Sequence, residues 1–405
     1  MTVSTLYAST PAGLSGALAR AGDQCTFIYE AKASPEAAVS LTMPVRPEPF
    51  VHSGLHPAFQ MNLPEGDLLG RLRLCFPQGT SDPMTILSVL GGESSIGRVR
   101  FSTREAKQET RVTSVAGESL KAILAYQGAK GLFECLAEKY LLRGGISGVQ
   151  PKVLVPERAS SARGEEQALP LADLIVKSAP REFPTLAVNE FVCMSVVRAC
   201  GIPTPKFYLS NDRRLFVVRR FDRASNGCAL GFEDFAALSG KGTACKYEGS
   251  YEGVALRIAA LISDESARAA ALARMFDMVA ISCMLGNGDA HLKNFGLLYE
   301  GAGTNVALAP AFDIVNTTCY IPEDGLALSL GGSKSFFASR LHLLDFANKC
   351  AMTAGSARRR IRHMIEVAHS VVADLDALVD EVPGLGLSLE RELGSFRETF
   401  ASSAY

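Results

Sequence analysis

Asp289 and Asn294 stand five residues apart in the stretch Leu285-Gly286-Asn287-Gly288-Asp289-Ala290-His291-Leu292-Lys293-Asn294-Phe295-Gly296. A carboxylate can orient a hydroxyl for attack, and an amide oxygen at this spacing can hold Mg²⁺. That is the division of labour phosphoryl transfer requires. His291 and Lys293 lie between them and could contact phosphate or brace the loop. The same cluster could equally be a polar turn joining a helix to a strand, so the rest of the chain has to decide.

Three other stretches carry groups of matching chemistry. Pro310-Ala311-Phe312-Asp313 follows a short apolar run, Asn305 to Ala309. Mg²⁺ prefers carboxylate and carbonyl oxygen and keeps several waters, so Asn294 with Asp313 would make a metal pair, although Asp313 alone could simply form a turn. Arg143-Gly144-Gly145-Ile146-Ser147-Gly148-Val149-Gln150-Pro151-Lys152 precedes an apolar run. Its glycines would let backbone N–H groups approach phosphate, yet the Gly-Lys-Ser/Thr of a Walker loop is missing, and a hairpin turn has the same composition. Lys177 ends the apolar run Leu174-Ile175-Val176, and Glu190 lies in the stripe Leu186, Met194, Val197 of the following segment. A carboxylate on an apolar face is costly unless a cation meets it, so Lys177 and Glu190 are expected to pair; otherwise Lys177 points to solvent and Glu190 sits on a helix edge.

The elements that must position these groups follow from periodicity and breakers. Cys25–Tyr29, Ala38–Thr42 and Ile96–Phe101 read as strands, and Asp67–Phe76 as an amphipathic helix. His52 and His56 flank Gly54 and read as loop histidines. Leu132–Leu142 is helical, Leu171–Lys177 is a strand after the polar loop Glu157–Gln167, and Thr185–Ala199 is a helix ended by Gly201 and Pro203. Lys206–Ser210 and Leu215–Phe221 form a hairpin, and Ser239–Gly253 a mobile loop. Helices are expected at Val254–Ile262, at Ala267–Leu285 and from Phe336 to Phe400, and strands at Phe295–Tyr299 and Asn305–Ala309. Arg358-Arg359-Arg360 with Arg362 and His363 reads as a solvated helix face, or as a contact to DNA phosphates.

In this order the chain resembles the HipA family of bacterial serine/threonine kinase toxins. The resemblance rests on Ile146-Ser-Gly-Val-Gln-Pro-Lys152, Leu174-Ile-Val-Lys177, Asn189-Glu190, Val218-Arg-Arg-Phe-Asp-Arg223, Glu233-Asp-Phe235, Asp289-Ala-His-Leu-Lys-Asn294 and Leu308-Ala-Pro-Ala-Phe-Asp313, between about residues 60 and 400. It implies an α+β, two-lobed protein-kinase-like fold: an N-terminal α+β accessory subdomain over residues 1–115, a nucleotide-binding N-lobe over 116–232 and a mainly helical C-lobe over 233–405. It implies ATP and Mg²⁺ as cofactors, a protein hydroxyl as substrate (that of a translation factor or of an aminoacyl-tRNA synthetase, the latter being the target of the family's studied members) and control by a small helix-turn-helix antitoxin, through which alone DNA would be met. Asp289 would be the catalytic base, Asn294 and Asp313 the Mg²⁺ ligands, and Lys177, positioned by Glu190, the ATP phosphate contact. Ser147, Gly148, Val149, Gln150, Pro151 and Lys152 would form the nucleotide loop and Arg219, Arg220 and Phe221 the adenine-contacting hinge, with His291, Leu292, Lys293 and Phe312 beside the cofactor. Gly145 stands where the family often carries a self-phosphorylated serine, which leaves Ser147 as the hydroxyl for such a modification. Arg219 stands where relatives carry an acidic residue. A phosphotransferase acting on a small molecule, or a non-catalytic antitoxin-bound corepressor, are the alternative functions.

Composition narrows the class. A chain of 405 residues exceeds one ordinary core, and 47% apolar residues suit a folded protein. The formal net charge of −1 gives no global argument for nucleic-acid binding. The ten cysteines are scattered, without a Cys-x-x-Cys pair, and most read as small buried hydrophobes in a reducing compartment. No apolar run reaches the roughly 20 residues of a spanning helix, and no signal-peptide pattern opens the chain, so a soluble cytoplasmic protein is expected.

Overall fold

A computed structural model of the chain describes residues 3–75, 82–92, 94–103, 117–127, 131–143, 148–158, 173–301 and 303–401. Gly144 to Ser147, with the candidate hydroxyl of Ser147, and the part of the polar loop from residue 159 onward lie outside these. In chain order the strands and helices begin with β1 (Thr5–Thr10), β2 (Gly13–Ala21), β3 (Gln24–Tyr29), β4 (Phe50–Ser53), α1 (Pro57–Gln60), α2 (Gly66–Cys75), α3 (Pro83–Leu90) and β5 (Arg100–Ser102). They continue with α4 (Leu120–Leu124), α5 (Leu132–Tyr140), β6 (Lys152–Pro156), β7 (Asp173–Ser178), α6 (Leu186–Ala199), β8 (Phe207–Leu209), β9 (Leu215–Arg219), β10 (Gly231–Asp234) and α7 (Phe235–Leu238). The chain then runs through α8 (Tyr251–Leu261), α9 (Glu265–Met284), β11 (Gly296–Tyr299), β12 (Ala307–Leu308), α10 (Phe336–Lys349), α11 (Ala354–Asp374), α12 (Asp376–Val379) and α13 (Leu385–Ala401). These elements fall into two compact units that are discontinuous in sequence. One comprises residues Met1–Ser178, Ser210–Thr243 and Leu298–Asn305, the other Ala179–Leu209, Ala244–Leu297 and Val306–Tyr405.

In the first unit, an antiparallel sheet of order β4-β3-β2-β1-β5 carries one core. Its strands alternate, so that Leu6 and Ala8 of β1 and Cys25, Phe27 and Tyr29 of β3 face inward onto Phe59, Leu87 and Phe101. Phe27 meets Tyr29 and Phe59 edge-on at 4.8 and 5.4 Å between ring centroids. A buried phenylalanine of this kind contributes about 2–3 kcal/mol through its apolar area. A second antiparallel array, β6-β7-β9, is almost wholly buried.

Two expected strands are corrected here. Ala38–Thr42 forms no strand, because Val39, Leu41 and Thr42 give their N–H groups to side chains instead of a ladder. Val39 N–H donates to the Tyr29 hydroxyl at 3.0 Å and Leu41 N–H to Glu233 at 2.7 Å. The strand expected from Ile96 begins only at Arg100, after Gly97 takes a φ of +75° that no ladder residue adopts.

The second unit is mainly helical. Asp264 caps α9 by accepting from Ala267 N–H at 2.7 Å, and the helix is buried along most of its final three turns. Phe276 of α9 stacks on Phe346 of α10 at 6.2 Å. In α6 the burial runs nearly all round, from Leu186 to Val197 except Phe191, so the single apolar stripe expected for it is corrected to a core helix. Among the described residues, no helix is long and apolar enough to cross a membrane.

Candidate active site

The loop that carries Asp289 is built by the way α9 stops. Gly286 adopts the left-handed φ of +63°. Gly286 N–H donates to Cys283 O at 3.3 Å and Asn287 N–H to Ser282 O at 2.9 Å, a Schellman pair that ends the helix and turns the chain. Asn287 is buried and its Oδ1 accepts from Asp289 N–H at 3.1 Å. The following segment is clamped as well: Gly288 N–H donates to Thr317 Oγ1 at 2.8 Å, and the Thr317 hydroxyl donates to Asp324. Thr317 N–H returns to Gly286 O at 3.0 Å. Gly288 has to be a glycine, since a Cβ there would lie 2.0 Å from Asp324 Oδ2 and 2.7 Å from Gly325 O.

Asp289 and Asn294 are joined directly. The Asn294 side-chain Nδ2 donates to Asp289 O at 2.8 Å, and Asn294 N–H donates to His291 O at 3.0 Å, closing the short 3₁₀ turn Leu292–Asn294. The Asp289 side chain is 47% exposed, whereas Asn294 is buried, so the carboxylate is the accessible group of the two. Asp289 Oδ1 accepts from the Tyr247 hydroxyl at 2.7 Å and lies 4.0 Å from His291 Nε2. Asp313 is half-buried and holds a φ of +60°, a left-handed conformation that costs about 1 kcal/mol and that aspartate tolerates better than most residues. It lies close enough to His291 to favour that residue's charged form.

His291 is nevertheless neutral. Burial, with the nearby cations Lys246 and Lys293 opposing a further charge, pushes its pKa down to about 4. Its ring meets Tyr247 edge-on at 5.1 Å, and Leu292 N–H donates to Lys246 O at 3.1 Å. Beneath the loop, the buried Tyr251 hydroxyl donates to Ala290 O at 3.1 Å. Burial raises the Tyr251 phenol well above its ordinary range, so it stays a donor.

The donor set suits a hard cation. Because the Asn294 nitrogen is spent on Asp289 O, its side-chain oxygen is the end that can meet a metal, and Asp313 supplies a carboxylate. Among the described residues no group of three or more His, Cys, Asp and Glu side chains gathers as a metal centre. An amide oxygen and a carboxylate are ligand types that a Mg²⁺ ion could take, with waters and phosphate oxygens completing its shell.

The first unit holds the other candidate residues. Lys152 of β6 and Lys177 of β7 are directly opposite each other in the antiparallel register, both 6% exposed. Directly opposite residues project to one face of the sheet, so both lysines rise from the same face. Lys152 folds back over Gly148: a Cβ on Gly148 would lie 2.3 Å from its Nζ, and Gly148 itself holds a φ of +118°. Lys177 Nζ lies 5.7 Å from the Phe216 ring centroid. Gln150 Nε2 donates to Ser178 O at 3.3 Å and Pro151 O accepts from Ser178 N–H at 3.0 Å, while Val149 is exposed. Arg219 bonds Glu157. Arg220 is buried, with its guanidinium committed to Asp173, Asp222 and the carbonyls of Ser94 and Ser95 and its N–H donated to Asp173 O at 3.0 Å, so its backbone carbonyl is the group left for a nucleotide. Phe221 packs edge-on against Phe232 at 5.6 Å. Glu190 is completely buried on α6 and belongs to the second unit, with Leu292, Lys293 and Phe312.

Sequence reasoning missed Tyr247, Asn316, Thr317 and Asp324. All four act across 29 residues or more of chain or through turns, and none has a spacing that marks it in advance.

The sequence model of the HipA-like C-terminal domain matches residues 144–373, more than half of the chain, and that of the HipA N-terminal domain matches residues 6–102. The chain belongs to the HipA family. Among curated relatives, "Putative kinase Y4mE" of Sinorhizobium fredii is 25% identical over 357 residues, 83% of this chain and 82% of that protein. "Putative kinase Y4dM" of the same bacterium is 30% identical over 196 residues, 44% of this chain, and the match spans about half of that relative's length (46%). The solved structure of the Shewanella oneidensis MR-1 toxin–antitoxin system HipA, HipB and its operator DNA aligns with a TM-score of 0.65 at 17% identity, over 98% of this chain and 100% of that one. The HipA fold, mixed α/β and kinase-like, therefore extends over nearly the whole chain.

Proposed function

We propose that this HipA-family protein is an ATP- and Mg²⁺-dependent serine/threonine protein kinase. The observation that carries the reading is the Asp289–Asn294 loop, in which one hydrogen bond fixes the amide while leaving the carboxylate accessible. Asp289 would orient the acceptor hydroxyl and take its proton. Asn294 and Asp313 would hold Mg²⁺, which when bound neutralises charge on the transferred phosphoryl group. Lys177 and Lys152 would bind nucleotide phosphates, with Gly148 to Pro151 shaping the turn before them and the Arg219–Phe221 backbone meeting the base. His291, being neutral, would brace the loop through its ring without adding a charge.

Family membership supports an antitoxin of the small helix-turn-helix kind as partner, with DNA met only through it, and a protein hydroxyl as acceptor. The division of the chain into an accessory subdomain, a nucleotide lobe and a helical lobe belongs to the same reading. Calorimetric titration with Mg·ATP, with and without chelator, tests the cofactor assignment: Asp313→Asn is expected to abolish the Mg²⁺-dependent part of binding. Phosphoproteome comparison of cells expressing wild type and Asp289→Asn tests the acceptor. New phosphoserine or phosphothreonine confined to wild type supports the reading. Nucleotide turnover without new phosphoprotein would point to a small-molecule acceptor, and binding without turnover to a corepressor.

A further inference from the structure

Tyr247 is not a stray surface tyrosine. Its hydroxyl donates to Asp289 Oδ1 at 2.7 Å, and its ring edge packs on His291 at 5.1 Å. The backbone beside it is tied to the same loop, because Lys246 O accepts from Leu292 N–H at 3.1 Å, and Tyr247 O accepts from Lys334 Nζ at 3.2 Å. The residue is still 42% exposed, so the phenol can swing away without breaching a core.

If Asp289 is the base of the reaction proposed above, the group that donates to its carboxylate during transfer is the acceptor hydroxyl. Tyr247 makes that contact with a hydroxyl of its own. We propose that the Tyr247 phenol occupies the acceptor-hydroxyl position on Asp289 and must be displaced by any acceptor, so that it selects against water and weakly bound alcohols. In the reaction, an acceptor O–H would lose its proton to Asp289 as its oxygen bonds the γ-phosphorus of ATP, and the bond to the β-phosphate bridging oxygen would break to release ADP. With Tyr247 in place Asp289 Oδ1 is already taken, so an acceptor oxygen has to displace the phenol to use it, and water, lacking binding contacts elsewhere, competes poorly.

The test uses the full chain, Mg·ATP, water as the acceptor present in every assay, and casein as a protein acceptor. Tyr247→Phe keeps the ring on His291 and removes only the hydroxyl, and a melting curve coincident with wild type checks its fold. The expected result is phosphate release into water about tenfold faster than wild type, the scale set by one hydrogen bond to a charged group. The KM for casein is expected to fall with kcat nearly unchanged, and Asp289→Asn combined with Tyr247→Phe to abolish the gained hydrolysis. Phosphate release that fails to rise in Tyr247→Phe, or a loss of kcat at unchanged KM, overturns the proposal; the latter would make Tyr247 a residue that orients Asp289. Failure of the underlying kinase reading looks different: wild type would transfer no phosphate to casein or to proteins of a cell lysate, and Asp289→Asn would change nothing.

Discussion

Asn189 and Asn316 exchange two hydrogen bonds: the Asn189 amide nitrogen donates to Asn316 O and its oxygen accepts from Asn316 N–H, both at 2.8 Å. Both residues are fully buried. The Asn316 side chain then donates to Leu285 O at 2.8 Å and to Ser388 Oγ at 2.9 Å. One residue thereby ties α6, the end of α9 and α13 together just after Asp313. Buried polar bonds of this kind help hold the geometry around Asp289, so it is sensitive to their loss.

Asn189→Leu leaves the N–H and C=O of Asn316 buried without these partners. Asn316 O keeps the Cys319 thiol at 3.3 Å, so the stranded group is the N–H, and the expected loss is roughly 1–3 kcal/mol. Urea unfolding of the purified variant measures it; an unchanged midpoint would show that the exchange contributes nothing.

His291 predicts a pH dependence. Its folded pKa, about 4, lies below the ordinary value of 6.5. Between those values the unfolded chain binds more protons than the folded one, so stability rises with pH. The contribution is fully present above about pH 6.5 and is lost as pH falls toward 4, roughly 3 kcal/mol in all. The difference between wild type and His291→Gln should therefore narrow by about 2 kcal/mol from pH 7 to pH 5. A difference constant over that range would mean that His291 is not held neutral.

Gly288→Ala forces a methyl group onto Asp324 and the Gly325 carbonyl, and so moves the residue just before Asp289. A shift of the order of 1 Å at a reacting group costs about a hundredfold in rate. Phosphoryl transfer should drop on that scale, while affinity for Mg·ATP stays within a few-fold of wild type. Wild-type turnover by Gly288→Ala would show that the Thr317–Asp324 clamp does not set the position of Asp289.

What was legible in the sequence was local. Helix α9, its glycine stop and the five-residue interval from Asp289 to Asn294 are all read along one segment, and the structure joins Asn294 to Asp289 through a backbone oxygen that this interval brings within reach. Tyr247 was hidden because its contact with Asp289 spans 42 residues, and the stretch around it, rich in small residues and glycine, reads as a loop. The burial of α6 was understated since a stripe of large apolar residues overlooks Ala187, Cys193 and Ser195, which are buried as well. Strands β1 and β2 escaped notice for a related reason: Ser, Thr, Ala and Gly dominate them, and only Leu6 and Leu18 supply bulk to the core. The cysteines divide more evenly than composition suggests, with Cys25, Cys193, Cys283 and Cys350 buried and Cys75, Cys135 and Cys228 exposed. Of the basic cluster on α11, Arg360 is drawn to Asp277 at 2.6 Å and Arg362 to Phe400 O at 2.8 Å, contacts that no charge pattern announces.

The central claim is that Asp289 is the base of a phosphoryl transfer. Transfer of the labelled γ-phosphate of ATP to protein, followed for wild type and Asp289→Asn side by side at matched Mg·ATP saturation, tests it most directly. A fall of about 10²–10⁴-fold with nucleotide affinity essentially retained is expected for Asp289→Asn, the range over which a positioned acid–base group acts. Equal transfer by the two proteins would contradict it.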